Sequence, residues 1–170
     1  MSARAYAIDA EFKAEADPAH HRVELRLWLR LLTCANLIEA EIRTRLREQF
    51  NTTLPRFDLM AQLERAPDGI LLGEVSRRMM VSTGNVTGLV ERLCQEGAIE
   101  RLAYEPDRRA VLVRLTAPGR QHFAKMAQAH SDWVAELLGG LSAEEQAELW
   151  SRLGGLKRSV RDAIHPEQDT

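Results

Sequence analysis

The chain has 170 residues, a net charge of −2 at pH 7 and 45% hydrophobic residues, which is enough to bury a core. No apolar run approaches the roughly 18 residues of a membrane span, and the N-terminus has no signal-type hydrophobic core. We therefore expect a cytoplasmic protein with no membrane partner. The two cysteines, Cys34 and Cys94, lie far apart without metal-ligand spacing, so neither a disulfide scaffold nor a metal site is expected.

Helical periodicity in the N-terminal third predicts two helices. Apolar residues recur at three-and-four spacing from 23 to 50, which is one face of a long helix. Pro55 suits the first turn of a second helix, and the Ala-Pro-Asp-Gly run at 66–69 ends it. We expect residues 1–17, which precede this pattern, to be a disordered tail.

The centre of the chain has the pattern of two joined helices followed by a β-hairpin. The helices are predicted over 72–79 and 82–96. Residues 99–105 and 110–115 are rich in strand-favouring side chains and flank a polar tip at 106–109. These patterns predict a helix-turn-helix with a two-stranded wing.

Two further helices are predicted in the C-terminal part. Thr116 can cap a helix over 117–138. Ser142 and Glu145 have the spacing of a capping box, which opens a last helix. We expect residues 166–170 to be a disordered tail.

The second central helix has the composition of a helix that contacts DNA bases. Its predicted buried stripe contains Val86, Val90 and Leu93, which leaves small and polar groups on the outward N-terminal half. A recognition helix contacts base edges in the major groove with its N-terminal residues. A solvated helix start is the alternative explanation of the same composition. The candidate DNA-contacting residues of this segment are Ser82, Thr83, Gly84, Asn85, Thr87, Gly88 and Arg92.

Three motifs in order resemble the MarR (multiple antibiotic resistance regulator) family. They are STGNVT at 82–87, LCQEGAIER at 93–101 and DRRAVLVRLTAPGR at 107–120, and they correspond to the family's recognition helix, helix exit and wing. By helix pattern the resemblance extends over 22–164. It implies a mainly α fold with a small β-wing, in which a winged helix-turn-helix is flanked by N- and C-terminal dimerisation helices.

The resemblance also implies a division of the chain and a partner. We expect an N-terminal dimerisation helix over 18–54, a DNA-binding lobe over 55–116 and C-terminal dimerisation helices over 117–165. The expected partners are a second copy of the chain and a double-stranded DNA operator. Two-fold symmetry then requires a pseudo-palindromic operator with half-sites about one helical turn apart.

In the family's wing signature an acid holds the loop and an arginine enters the minor groove. By resemblance these residues are Asp107 and Arg109, and a narrow minor groove favours an inserted guanidinium. Arg108 is an expected phosphate contact. Gly88 departs from the family pattern, since many relatives carry a larger, often basic residue there, which leaves open the bases that are read.

The expected function is transcriptional regulation, as a repressor released by a small ligand, and no enzymatic motif such as a P-loop or HExxH is present. Residues 57–63 and 84–90 are similar to regulators of aromatic-acid or phenylpropanoid breakdown. An anionic aromatic effector, either the free acid or its coenzyme A thioester, is therefore expected, and no other cofactor. The candidate effector-binding residues also have an explanation that needs no ligand, because tryptophans pack against neighbouring side chains and charged side chains are solvated. These candidates are His21, Arg22, Arg26, Trp28, Arg30, His130 and Trp133.

Two alternatives stay open. Some family members sense organic peroxides through a cysteine on the first helix, so Cys34 makes a redox-sensing repressor the first alternative. A buried structural thiol is the favoured interpretation of Cys34, because free cysteine usually packs as a small hydrophobe. The second alternative is a dimeric adaptor that does not bind DNA.

Overall fold

The computed structural model describes residues 3–16, 22–106 and 110–165, without the side chains of 3–9 and of Thr83. The chain divides into two compact units, one up to Ser131 and one from Asp132 onward. The elements, in chain order, are α1 (Ala3–Ala16), α2 (Val23–Phe50), α3 (Leu54–Glu64), β1 (Ile70–Leu71), α4 (Leu72–Met79), α5 (Thr83–Gln95), β2 (Ile99–Ala103), β3 (Val111–Leu115), α6 (Ala117–Leu138) and α7 (Ala143–Ile164).

The predicted long helix is confirmed as α2, and its end has a clear local cause. Asn51 adopts a left-handed conformation with φ of 49°, which redirects the backbone after Phe50. The amide of Asn51 donates to the Arg47 carbonyl at 3.1 Å, so the last turn of the helix is satisfied. Pro55 lies in the first turn of α3, where its missing amide hydrogen costs nothing.

The core of the first unit lies mainly among α3, α4, α5 and the sheet. Val86, Val90 and Leu93 of α5 are buried, which confirms the stripe predicted from their spacing. Because one face of α5 packs into this core, its opposite face is turned outward. Other buried core side chains of these elements are Leu59, Met60, Leu63, Val75, Val113 and Leu115.

The two predicted wing strands are present as β2 and β3. They belong to a three-stranded antiparallel sheet of order β1-β3-β2, in which β1 was not predicted. In β1, Ile70 pairs with Val113 and Leu71 with Leu112. A two-residue apolar stretch has no periodicity of its own, and only its pairing with β3 makes it a strand. The sheet thereby joins the start of α4 to the wing.

The predicted disorder of 1–17 is wrong for residues 3–16, which form α1 and pack along α2. Ala14 is only 2% exposed, and Arg30 of α2 forms ion pairs with Glu11 and Glu15. Alanine and glutamate favour helix formation, and the contacts with α2 are nonlocal, which the short periodic pattern could not indicate. The predicted tail at 166–170 lies outside the described residues.

The second unit contains the end of α6 and all of α7. The expected boundary before 117 differs from the observed one between Ser131 and Asp132, which lies within α6. The capping box of α7 is confirmed, because the Glu145 amide donates to Ser142 Oγ and the Ser142 amide donates to the Glu145 carboxylate. Along the described ranges, no helix is both long and apolar enough to cross a membrane.

Candidate nucleic-acid interface

The turn between α4 and α5 is fixed by local hydrogen bonds. Met80 adopts a left-handed conformation with φ of 53°, which ends α4. The buried Ser76 hydroxyl donates to the Val81 carbonyl at 2.7 Å, and the Val81 amide donates to the Ser76 carbonyl at 3.2 Å. These bonds set the direction in which α5 leaves the turn.

The start of α5 is capped and open. Ser82 Oγ accepts a hydrogen bond from the Asn85 amide at 3.4 Å, which confirms Ser82 as the N-cap. Asn85 and Gly84 are exposed, and a Cβ atom added at Gly84 or Gly88 would have no atom within 4 Å. Thr87 is half-buried and has an interaction partner. The outward half of α5 therefore leaves room for a large partner.

A shallow groove of about 410 Å³ runs along this open face. Four predicted DNA-contacting residues come together there, and the turn and the start of α3 supply the remaining wall. The side chain of Thr83 and the whole of 107–109, with Asp107, Arg108 and Arg109, lie outside the described residues. The groove is lined by Pro55, Met79, Val81, Gly84, Asn85, Gly88, Leu89 and Arg92.

The other end of α5 is held by its neighbours. Thr116 Oγ1 donates to the Gly97 carbonyl at 2.6 Å and accepts from the Gly119 amide at 3.0 Å. A Cβ atom at Gly119 would collide with the Ala98 carbonyl oxygen, so α6 approaches this segment as closely as the backbone allows. The segment that links α5 to β2 is thus fixed to the start of α6.

An ion pair fixes the same end of α5 to α3. The Arg56 guanidinium donates to the Glu96 carboxylate, across 40 positions of sequence. Sequence analysis missed this pair, because no local spacing relates the two residues. Thr116 was predicted only as a helix cap, and its bond to the Gly97 carbonyl was missed as well.

Arginines of this lobe are partly compensated by nearby acids. Arg77 and Arg78 both pair with Glu74, and the hydrogen bond from Arg78 lowers the pKa of the Glu74 carboxyl. Arg114 Nε donates to the Glu100 carboxylate at 2.7 Å on the sheet. All of these side chains are at least partly exposed, so water and salt weaken their ion pairs.

Two of the predicted effector-binding residues, Arg26 and Arg30, line a common cavity. This cavity, of about 230 Å³, lies between α1 and α2 and also contains Glu11 and Glu15. The hydrogen bond from Thr33, followed by that from Arg30, lowers the pKa of Glu11. Glu11 and Glu15 of α1 pair with Arg30 and thereby compensate positive charge that was expected to receive an anion.

The other candidates lie elsewhere. The His130 ring stacks on Phe57 with 4.9 Å between ring centroids. Arg22 is exposed and pairs with Glu24 at 3.2 Å, and Trp28 is 57% exposed. Trp133 is buried in the second unit, and His21 lies outside the described residues.

The prediction that Cys34 is a buried structural thiol is wrong, because Cys34 is exposed. Only Leu29, Ile42 and Leu46 of α2 are buried, so the apolar face predicted for this helix is covered over part of its length. Cys94 is half-buried, and burial raises the pKa of its thiol.

Comparisons with known proteins agree with this geometry. The family model described as the MarR family matches residues 50–110. The Transcriptional activatory protein BadR of Rhodopseudomonas palustris is 32% identical over 137 residues, which are 78% of this chain and 78% of BadR. The regulator PecS of Dickeya dadantii is 26% identical over 140 residues, which are 81% of this chain and 84% of PecS.

Solved structures show the same fold. A MarR family transcriptional regulator from Silicibacter pomeroyi has a TM-score of 0.69 and 33% identity, over 81% of this chain and 94% of that one. A mutant MarR from E. coli complexed with operator DNA has a TM-score of 0.68 and 27% identity, over 78% of this chain and 95% of that one. The chain thus belongs to the MarR family and is a DNA-binding winged helix-turn-helix regulator of transcription.

Proposed function

We propose that the protein represses transcription as a homodimer on a pseudo-palindromic operator and leaves it when a small anionic aromatic ligand binds. The observation that carries the DNA-binding part is the open, Ser82-capped N-terminal half of α5. Gly84 and Gly88 leave space on its surface, and Asn85 offers an amide that can pair with adenine.

Exposed apolar side chains support the homodimer. On α2, Leu25, Leu27 and Leu37 are each more than 40% exposed. A soluble monomer rarely leaves such long apolar faces uncovered, and a second copy would cover them. The apolar side chains exposed on α7 are Leu149, Trp150, Leu153, Val160 and Ile164.

The named relatives differ in the sign of regulation, and none of their names states an effector. BadR is named an activatory protein, whereas YetL of Bacillus subtilis is named a repressor. Repression follows when the operator overlaps a promoter. A ligand that binds the DNA-incompetent state about a hundredfold more tightly would lower operator affinity to the same extent.

Exposure of Cys34 favours a second candidate, a repressor that is released by oxidation. Peroxide should then release DNA from the wild-type protein and not from Cys34→Ser. Under the main proposal, peroxide leaves both proteins bound, and an aromatic acid or its thioester releases both.

The wing arginine provides a direct test of DNA binding. Arg109→Ala should weaken binding to the DNA upstream of the gene by about tenfold or more, because it removes a positive charge from the minor groove. Fluorescence anisotropy at physiological salt measures the affinity. Arg152→Ala, which removes an exposed arginine of α7, is the matched control and should bind as the wild type does. Equal affinities for all three proteins would contradict the wing assignment.

A further inference from the structure

The outward face of α4 has a charge cluster that lies outside the groove along α5. Glu74 pairs with Arg77 and Arg78, which follow it by three and four positions, so the three side chains share one face of the helix. Val75 and Ser76 are buried and hold the opposite side of α4 in the core. We propose that Glu74 competes with the phosphates of bound DNA for Arg77 and Arg78, and so lowers the affinity for every DNA sequence alike.

The place of α4 in the fold brings this cluster to the DNA backbone. In a helix-turn-helix the first helix crosses the phosphate backbone while the second enters the major groove, and α4 and α5 are these two helices. A hollow of about 520 Å³ is lined by Glu74 and Arg77 and also by Ala110 and Val111, at the start of β3. The cluster therefore lies close to the base of the wing. The proposal rests on the DNA-binding part of the proposed function.

Glu74 neutralises only part of the positive charge on this face, because two guanidinium groups share one carboxylate. Arg78 Nε donates to Glu74 Oε1 at 2.8 Å. This hydrogen bond, followed by the charges of both arginines, lowers the pKa of the Glu74 carboxyl, so the competing group is ionised at neutral pH. The Arg77 side chain is 76% exposed, and the donors that Glu74 does not use can reach a phosphate.

A phosphate can displace Glu74 because exposed ion pairs are weak. Water and salt screen such pairs, whereas an arginine that binds a phosphate releases counterions condensed on the DNA. The exchange still requires that the existing pair break, which reduces the gain from each phosphate contact. Phosphates are alike in every sequence, so the competition lowers affinity without changing which bases are read.

Removal of the carboxylate charge tests the competition. Glu74→Gln keeps the size of the side chain and frees both arginines, so it should tighten DNA binding about threefold to tenfold at physiological salt. Fluorescence anisotropy of the full chain measures the affinity for the DNA upstream of the gene and for a duplex of unrelated sequence, and both should change by the same factor. Glu148→Gln breaks the pair with Arg152 in α7, which has the same four-residue spacing, and is the control that should bind as the wild type does.

A cycle of variants separates competition from simple repulsion of DNA by an acid. Arg77→Gln combined with Arg78→Gln should weaken binding to both duplexes and reduce the slope of log affinity against log salt by about 1 for each arginine that contacts a phosphate. In that background Glu74 has no arginine to withhold, so Glu74→Gln should change affinity by less than about twofold. These side chains are at least partly exposed, so the variants should fold.

Two results would overturn the proposal. Unchanged DNA affinity in Glu74→Gln would show that Glu74 does not limit binding. Tightening as large without the two arginines as with them would show that Glu74 acts by repulsion alone.

The two duplexes also distinguish this proposal from the proposed function. When the wild type prefers the upstream DNA and Glu74→Gln binds no more tightly, the competition is wrong and the operator-binding function stands. When the wild type binds both duplexes equally and Glu74→Gln tightens both, the operator assignment is wrong and the competition stands.

Discussion

The two ends of α5 are built in opposite ways. At the start, Gly84 and Gly88 would each accept a Cβ atom without meeting any atom within 4 Å. At the exit, Gly119 of α6 lies so close to Ala98 that no Cβ atom fits, and Thr116 bonds to the Gly97 carbonyl. The helix thus has an open N-terminal end that a partner can approach. Its C-terminal end is fixed, because the segment between α5 and β2 is bonded to and packed against the start of α6.

The largest effect is expected at the fixed end. Gly119→Ala should destabilise the protein by about 3 kcal/mol, near the upper end of the usual cost of overpacking, because the added methyl group meets backbone and not a flexible side chain. Urea denaturation followed by circular dichroism measures the free energy of unfolding. Gly73→Ala, where a Cβ atom has no neighbour within 4 Å, is the control and should not destabilise. Wild-type stability of Gly119→Ala would show that the α6 contact is looser than described.

Thr116 should give the next largest effect. Thr116→Val keeps the shape of the side chain and removes the hydroxyl, which leaves the Gly97 carbonyl without this donor and α6 without its cap. The expected loss is about 1–2 kcal/mol in the free energy of unfolding, measured by the same denaturation. Thr116→Ser retains the hydroxyl and should recover most of this loss. Equal destabilisation by valine and serine would assign the effect to packing of the methyl group instead.

Sequence reasoning succeeds where the cause is local. The bounds of α2 and α4 follow from apolar periodicity and from the residues that break each helix, and Ser82 and Ser142 are confirmed as caps. The open half of α5 is also local, because the spacing of Val86 and Val90 defines which face is buried. The start of α5 was therefore predictable from the sequence alone.

Sequence reasoning fails where an element depends on contacts with a segment that is distant in the sequence. α1 depends on contacts with α2, and β1 depends on pairing with β3, so neither follows from its own pattern. The pair of Arg56 and Glu96 joins residues 40 positions apart, and the close approach of Gly119 to Ala98 needs the packed structure. The fixed end of α5 is made of such contacts, which explains why the sequence did not predict it.

The smallest change in stability, with the opposite sign, is expected at the open end. Gly88→Ala should raise the free energy of unfolding by about 0.5–1 kcal/mol, because alanine loses less conformational entropy in a helix and its methyl group meets no neighbour. The same methyl group should lower DNA affinity several-fold, since it fills space that the groove along α5 leaves for the DNA. Denaturation and DNA anisotropy are measured on one preparation, with Gly73→Ala as the control that should leave DNA affinity unchanged. A Gly88→Ala protein that is more stable and binds DNA as tightly as the wild type would show that the DNA does not approach α5 at Gly88.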